Sequence, residues 1–401
     1  MANIDTDVVV VGAGPAGLIA AREAAKRGVK VTVLEEHKEI GVPCHCAGLL
    51  SIKGLKNIAI PLNANFVQNR LKGARFYSPS GLSFTVERKE HVACVVDRTK
   101  FDKFLAREAT YAGAEIKLQS RVQQVNRHGE GVTVSGPWES INAKVVIDAE
   151  GVNSRLVKRM GLTPLKPECL LPALQFELAD VDVDPAYAEI HVGRKVAPNF
   201  FAWVIPLNGN SARVGLACKG TNPHKKLESF VRSRFDKYSR LSVSSGRIVA
   251  CGPIPTTFND NFIVVGDAAG QAKPTTGGGV ILGGICASIA GSIAAEAVKS
   301  GIYTSNFLRK YEVLWKRRLG REFNIMCLAR NIVNRLSDKT LDKIFKIVID
   351  KNLQTELSMK GDMDFQSNLL SALRKKKDLL RILLTAVPDL LPFRALELGK
   401  G

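Results

Sequence analysis

Three sets of residues have types and spacings that could do chemistry. The first is the run Val8-Val9-Val10-Val11-Gly12-Ala13-Gly14-Pro15-Ala16-Gly17. An apolar strand runs into a glycine turn and then a helix, which sets a helix N-terminus against a pyrophosphate. Gly12 permits the tight turn, Gly14 lets the backbone approach the phosphates, and Gly17 lets the helix lie close to the strand. The unpaired N–H groups and the dipole of that helix favour negative charge. The strand Val29–Leu34 follows and ends in Glu35, about 20 residues on, where an acid can reach a ribose hydroxyl. A glycine fingerprint alone marks any plain βα turn; the full strand–turn–helix–strand–acid series points to a bound dinucleotide.

The second set is Gly266-Asp267-Ala268-Ala269-Gly270 with Pro274-Thr275-Thr276-Gly277-Gly278-Gly279. Asp267, at a strand end, can accept hydrogen bonds from a polyol, and the triple glycine lets backbone N–H groups approach a flat, electron-rich ring. Two shorter segments belong with it: Asp97-Arg98, between a strand and a helix, and Asp148-Ala149-Glu150-Gly151 through Arg155. The third set is Cys44-His45-Cys46, in the loop after the first βαβ unit. No matching pair elsewhere completes a tetrahedral site, so no metal is expected. The bland reading of these thiols is small buried apolar side chains, and His45 has no named partner.

These residues need elements to hold them. Residues 4–50 read as a βαβ unit and its loop, Val92–Val96 as a strand, and Thr99–Gly113 as a helix stopped by Gly113. Ala114–Leu118, Val132–Val134 and Ala143–Ala149 read as strands. From 165 to 255 the character changes to short strands, Leu174–Leu178, Ala188–Val192, Phe200–Ile205 and Ala212–Ala217, with a helix at about 224–237. The spacing predicts an α/β (α+β) protein: a Rossmann-like domain over 1–164 with 250–300, an antiparallel-sheet substrate domain over 165–249, and a helical C-terminal region over 301–401. The uncharged stretch 277–295 is long enough to span a bilayer, but its Gly, Ala and Ser content favours a buried, closely packed helix.

The bulk composition bounds the function. The chain has 401 residues with 57 Lys+Arg against 38 Asp+Glu, a net charge of +19. Such a balance suits an anionic partner or a solvated basic surface. Aromatic platforms interleaved with the basic residues are lacking, so nucleic acid is not expected. The N-terminus carries acids where a secretory leader carries bases, and the scattered cysteines read as free thiols, so a cytoplasmic protein is expected. The mixed apolar and basic run 369–384 reads either as a helix lying on the inner face of an anionic membrane or as one docked on the protein's own core.

In that order, these motifs resemble the flavoprotein superfamily of aromatic hydroxylases and geranylgeranyl reductases, over about residues 5–330 and more loosely beyond. The resemblance implies FAD. Gly12, Gly14, Ala16 and Gly17 would hold its pyrophosphate, Glu35 a ribose, and Asp267 the ribitol. Arg98, Val122, Gly151, Gly278, Gly279, Val280 and the Cys46-Ala47-Gly48 turn would line the rest. Glu150 departs from the family pattern, which has Asp before the glycine. Pro43 to Ser51 is similar to the cysteine loop of geranylgeranyl reductases, with Cys46 fitting the archaeal form and Cys44 a shorter one. Pro198 to Pro206 is similar to that family's PxxYxWxFP motif: Pro198, Trp203 and Pro206 match, while Phe201 replaces the tyrosine and Ile205 the phenylalanine.

What this implies is saturation of geranylgeranyl chains of archaeal ether phospholipids, with Cys46 or Cys44 as catalytic thiol, Phe201, Trp203 and Pro206 against the prenyl chain, and an external electron donor (NAD(P)H or ferredoxin). Two other functions share the fold. One is a flavin monooxygenase acting on an aromatic or quinone; the other is a non-catalytic prenyl-lipid carrier, which would not need intact flavin contacts.

Overall fold

A computed structural model describes residues 5–62, 65–367 and 377–390. The chain divides into two compact units. One comprises Met1–Gln68, Val96–Leu170 and Arg247–Asn324; the other comprises Asn69–Val95, Leu171–Gly246 and Ile325–Gly401. Residues 69–95 and the helical tail beyond 324 therefore group with the sheet unit.

The first unit is built on a six-stranded sheet in the order Phe258–Asn259, Phe262–Val264, Val145–Asp148, Val8–Val11, Val31–Leu34, Ala114–Lys117. All neighbours are parallel except the short first pair. Val8 to Val11 and Val31 to Leu34 are buried on both faces, which explains why they read as continuous apolar runs rather than alternating ones. The helices Pro15–Ala25 and Arg98–Tyr111 and a small antiparallel sheet, Gln124–His128, Gly131–Ser135 and Ile141–Ala143, belong to the same unit.

The apolar stretch is the helix Val280–Ser300. It is long and apolar enough to cross a membrane, yet 72% of its apolar window is buried inside the fold. It lies directly on Pro15–Ala25: a Cβ at Gly291 would strike the carbonyl of Ala20. Small residues replace a Leu-rich seam so that two backbones can meet.

The second unit holds a seven-stranded sheet in the order Ser239–Val249, Leu170–Ala179, Ser211–Ala217, Phe201–Pro206, Tyr187–Val192, Gly73–Tyr77, Ser83–Glu87. One face is apolar (Leu174, Phe176, Leu178, Ala202, Val204, Val214) and is covered by Leu227, Phe230 and Val231 of the helix Pro223–Arg234. The alternate residues, Gln175, Glu177, Phe201, Trp203, Ile205 and Arg213, occupy the other face.

One sequence expectation changes. Cys169 and Cys251 are joined in a disulfide rather than free, brought together where Ala250 N donates to Cys169 O. The run 369–384 falls partly outside the described residues. Its described part belongs to the helix Lys377–Leu390, where Ala386 is buried against Leu336 and Leu341 while Leu384 is exposed.

Candidate functional site

The glycine turn is shaped by what its neighbours allow. Gly12 has φ +98°, and a Cβ there would lie 2.5 Å from Ala149 O. A Cβ at Gly17 would collide with Gly12 O, so both glycines are required for the helix to begin against the strand. Gly14 is different: nothing lies within 4 Å of the position its Cβ would take. The N-cap of Pro15–Ala25 is Gly14 itself, so no side chain caps the helix's first N–H groups. Ala16 packs against Gly266, which joins the turn to the Asp267 segment.

Glu35 is buried, and its carboxylate holds the turn. Ala13 N donates to Oε2 at 2.7 Å, His37 N to Oε1 at 2.9 Å, and His37 Nδ1 lies 2.6 Å from Oε1. The sequence reading found Glu35 as a ligand acid and missed both this anchoring role and His37. Only a histidine two residues on could have signalled the latter. Val122 is buried beside Val11 and Leu34 at the same sheet edge.

Arg98 opens the helix Arg98–Tyr111 after the Asp97 cap, whose carboxylate accepts from Lys100 N. Its guanidinium is forked onto Asp102, Nε to Oδ1 at 3.1 Å and Nη2 to Oδ2 at 3.0 Å. Burial works against the Arg98 charge, but Asp102, Cys46 and Cys44 outweigh it, so Arg98 is held above the usual guanidinium value. Burial pushes the Asp102 carboxyl up by more than Arg98 pulls it down. Asp102, one helical turn on, was legible as an i,i+4 partner.

The cysteine loop is thus brought to Arg98. Gly48 N donates to Cys46 Sγ at 3.4 Å, and Val96 N donates to Gly48 O, fixing the Cys46-Ala47-Gly48 turn beside the strand that leads into Arg98. Cys46 is partly buried, whereas Cys44 and His45 are exposed.

The Asp267 segment is positioned from behind. Gln271 is fully buried; its Oε1 accepts from Gly266 N, its Nε2 donates to Tyr311 Oη, and Tyr311 Oη donates to Val264 O. Among the described residues no side chain donates a hydrogen bond to the Asp267 carboxylate. Burial pushes its carboxyl up and Arg98 pulls it part of the way back. A Cβ at Gly279 would lie 2.5 Å from Asp267 Oδ1, whereas one at Gly278 would meet only the flexible end of the Lys273 side chain. Gly279 caps Val280–Ser300 without a side chain, leaving the N–H groups from Val280 onward open.

Gly151, with φ +75°, opens a short 3-10 turn. The departure at Glu150 is accommodated: its longer side chain turns back so that Oε2 accepts from Arg155 N at 3.0 Å, Leu156 N at 3.1 Å and Ser154 Oγ at 2.9 Å. Ser154 Oγ also lies 2.8 Å from Asp148 Oδ2. Burial, with the Glu150 charge beside it, pushes the Asp148 carboxyl up to about 7.

These residues fit FAD. An open cradle at Gly14, two uncapped helix N-termini, a desolvated carboxylate without a hydrogen-bonding side chain and an acid at the second strand end are donors and acceptors awaiting a dinucleotide with a polyol linker. Among the described residues no cluster of His, Cys, Asp or Glu could hold a metal ion.

In the sheet unit, Trp203 lies flat across Gly215, where a Cβ would stand 2.5 Å from the indole. Its Nε1 donates to Gln175 Oε1 at 3.1 Å. Phe201 meets Trp203 edge-on with ring centres 6.1 Å apart and stacks on Phe200 at 4.3 Å. Pro206 alternates onto the opposite face, where it is buried and its carbonyl accepts from Asn69 Nδ2. The structure therefore brings Phe201 and Trp203 together and leaves Pro206 apart from them. Gln175 and the Arg213–Glu177 pair, on the Trp203 face, were missed by sequence reading although strand alternation places them there.

A model of the FAD binding domain matches residues 5–238. The chain is 35% identical over 388 residues to digeranylgeranylglycerophospholipid reductase 2 of Methanothermobacter thermautotrophicus, covering 94% of this chain and 98% of that one. It is 35% identical over 354 residues to digeranylgeranylglycerophospholipid reductase of Methanocaldococcus jannaschii, covering 84% and 89%. Among solved structures, a geranylgeranyl bacteriochlorophyll reductase-like protein from Thermoplasma acidophilum aligns with a TM-score of 0.84 at 29% identity, covering 95% of this chain and 99% of that one. The halogenase PltM aligns with a TM-score of 0.68 at 15% identity over 93% and 87%, a likeness of fold alone. The chain belongs to the digeranylgeranylglycerophospholipid reductase family of FAD-binding proteins.

Proposed function

We propose that this protein saturates the C=C bonds of geranylgeranyl chains on ether phospholipids. What supports the reading is a set of residues that fits a flavin, with Cys46 near enough to Arg98 to act on its charge, in a chain matched along nearly its whole length by digeranylgeranylglycerophospholipid reductases.

Bound FAD, once reduced, supplies a hydride. An isolated prenyl double bond is electron-rich, and hydride attack on it alone would leave an unstabilised carbanion. Proton delivery therefore leads or accompanies hydride delivery. Positive charge develops at the tertiary carbon and the hydride quenches it, so that each bond gains one proton and one hydride. Cys46 Sγ is the proton donor, with the more exposed Cys44 as the alternative thiol. Arg98 offsets the negative charge left on sulfur. Phe201 and Trp203 supply an apolar wall for the chain.

An external donor, NAD(P)H or ferredoxin, returns electrons to the site. The enzyme works as a peripheral protein at the cytoplasmic face of the membrane, a reading supported by its net charge of +19 and by the lipid nature of the substrate. Liposome flotation with anionic and neutral vesicles tests this: retention of the whole protein in the soluble fraction with both would sink it.

The reaction is tested by anaerobic reduction of the purified protein, addition of unsaturated ether phospholipid, and mass spectrometry of the lipid. A gain of two mass units per double bond is expected. Oxygen-dependent consumption of NAD(P)H with a hydroxylated product, or a colourless protein without a flavin spectrum, would overturn the reading.

A further inference from the structure

Arg330 lies in the last turn of the helix Ser305–Val333 and is 8% exposed. Its Nη2 donates to the carbonyl of Asn199, and its guanidinium carbon stands 4.7 Å from the centre of the Phe200 ring. Other arginines with little-exposed side chains each meet a carboxylate: Arg22 meets Glu23, Arg98 meets Asp102 and Arg213 meets Glu177. Among the described residues Arg330 has no such partner, and burial alone lowers it to about 10. A helix C-terminus and one aromatic face favour a cation only weakly compared with the cost of removing it from water. A ligand carrying negative charge would supply such a partner.

The surroundings say which kind. Arg330 stands at one end of an aromatic row, Phe200 stacked on Phe201 and Phe201 edge-on to Trp203. Near the Arg330 end Arg194 and Lys219 are exposed: Arg194 Nη2 donates to Arg335 O, and Lys219 N donates to Pro198 O, which ties that residue to the same loop. A cation flanked by further cations, followed by an apolar row, matches an amphiphile with a phosphate head and a hydrocarbon chain. A guanidinium offers a phosphate two parallel N–H donors.

We propose that Arg330 binds the phosphate at the head of the prenyl lipid, with Phe200, Phe201 and Trp203 receiving the chain that leaves it. This assigns a specificity-determining residue to the reaction proposed above, and it rests on that reading for the identity of the chain.

The test compares wild type with Arg330→Gln and Arg330→Lys, all loaded with FAD and checked for flavin content and Tm. Each is given digeranylgeranylglyceryl phosphate, the uncharged digeranylgeranylglycerol, and geranylgeranyl diphosphate in neutral detergent micelles. In Arg330→Gln the preference for the phosphate lipid over the alcohol, as a ratio of kcat/KM values, should fall at least tenfold, and Arg330→Lys should recover part of it. A parallel fall with the diphosphate assigns the site to any prenyl phosphate; a fall confined to the glycerophosphate assigns it to the phospholipid head. Equal losses on charged and uncharged lipids, or an unchanged preference, would overturn the proposal and leave Arg330 as a staple for Asn199. If wild type reduces none of the three, the reductase reading fails, and Arg330 is still read by binding. The saturated phosphate lipid, titrated with tryptophan fluorescence as the signal, should bind wild type at least tenfold more tightly than Arg330→Gln; equal binding overturns the assignment.

Discussion

The backbone N–H of Ala13 donates to Glu35 Oε2 at 2.7 Å, so the acid that ends the second strand holds the glycine turn that ends the first. A buried charged acceptor for a backbone donor is worth about 1.5–3 kcal/mol. Glu35→Ala should therefore weaken FAD retention roughly 10- to 100-fold, with a smaller loss for Glu35→Gln. The flavin-to-protein ratio after dialysis measures it. Full retention in Glu35→Ala would show that the turn holds its shape without the carboxylate.

Gly17→Ala should cost more than the cap it leaves intact. Its Cβ meets a backbone carbonyl that has no room to move, and overpacking of this kind costs about 1–3 kcal/mol. A lowered Tm together with loss of bound flavin is the expected result.

Cys46→Ala should keep FAD and lose turnover by about 10²–10⁴-fold, the usual contribution of a positioned acid. Cys44→Ala should lose less, because Cys44 is the more exposed thiol. Steady-state reduction of a geranylgeranyl lipid decides between them; wild-type rates in both variants would remove the thiols from the mechanism.

Asp148 links stability to pH. Its folded pKa is raised from 3.8 to about 7 by burial and by Glu150. Between those values the folded state holds a proton that the unfolded chain has released. The stabilisation is complete below about pH 4 and is lost as pH rises through 7. Asp148→Asn removes this slope, so its Tm should rise relative to wild type as the pH is taken from 4 to 8. A constant difference across that range would place the proton elsewhere.

Gly215→Ala should displace the Trp203 ring without touching the flavin cradle, since the added Cβ falls on the indole. A changed tryptophan emission, normal flavin content and a lower kcat/KM for lipid are expected.

The βα units that carry the candidate flavin residues were largely legible because those residues follow one another at fixed offsets within continuous strands and helices. Their supports were less so. His37 reaches Glu35 across a bend, and Gln271 reaches Tyr311 through the fold's interior, contacts that no local pattern announces. The central strands of the second sheet were read as short apolar runs separated by turns such as Asn208-Gly209-Asn210. Its margins were not: Ser239–Val249 is mostly exposed and polar, and Gly73–Tyr77 is half-buried without alternation. Arg330 was invisible because its aromatic and carbonyl partners lie about 130 residues away.

The close seat of Val280–Ser300 on Pro15–Ala25 also bears on how the chain is made. A 21-residue segment of mean hydropathy 1.7 leaves the ribosome late, and on its own it would be attractive to any translocation or aggregation machinery. Its partner helix is synthesised more than 250 residues earlier, with the Ala20 carbonyl already in place for Gly291. The segment that buries this membrane-like sequence thus precedes it in the order of synthesis.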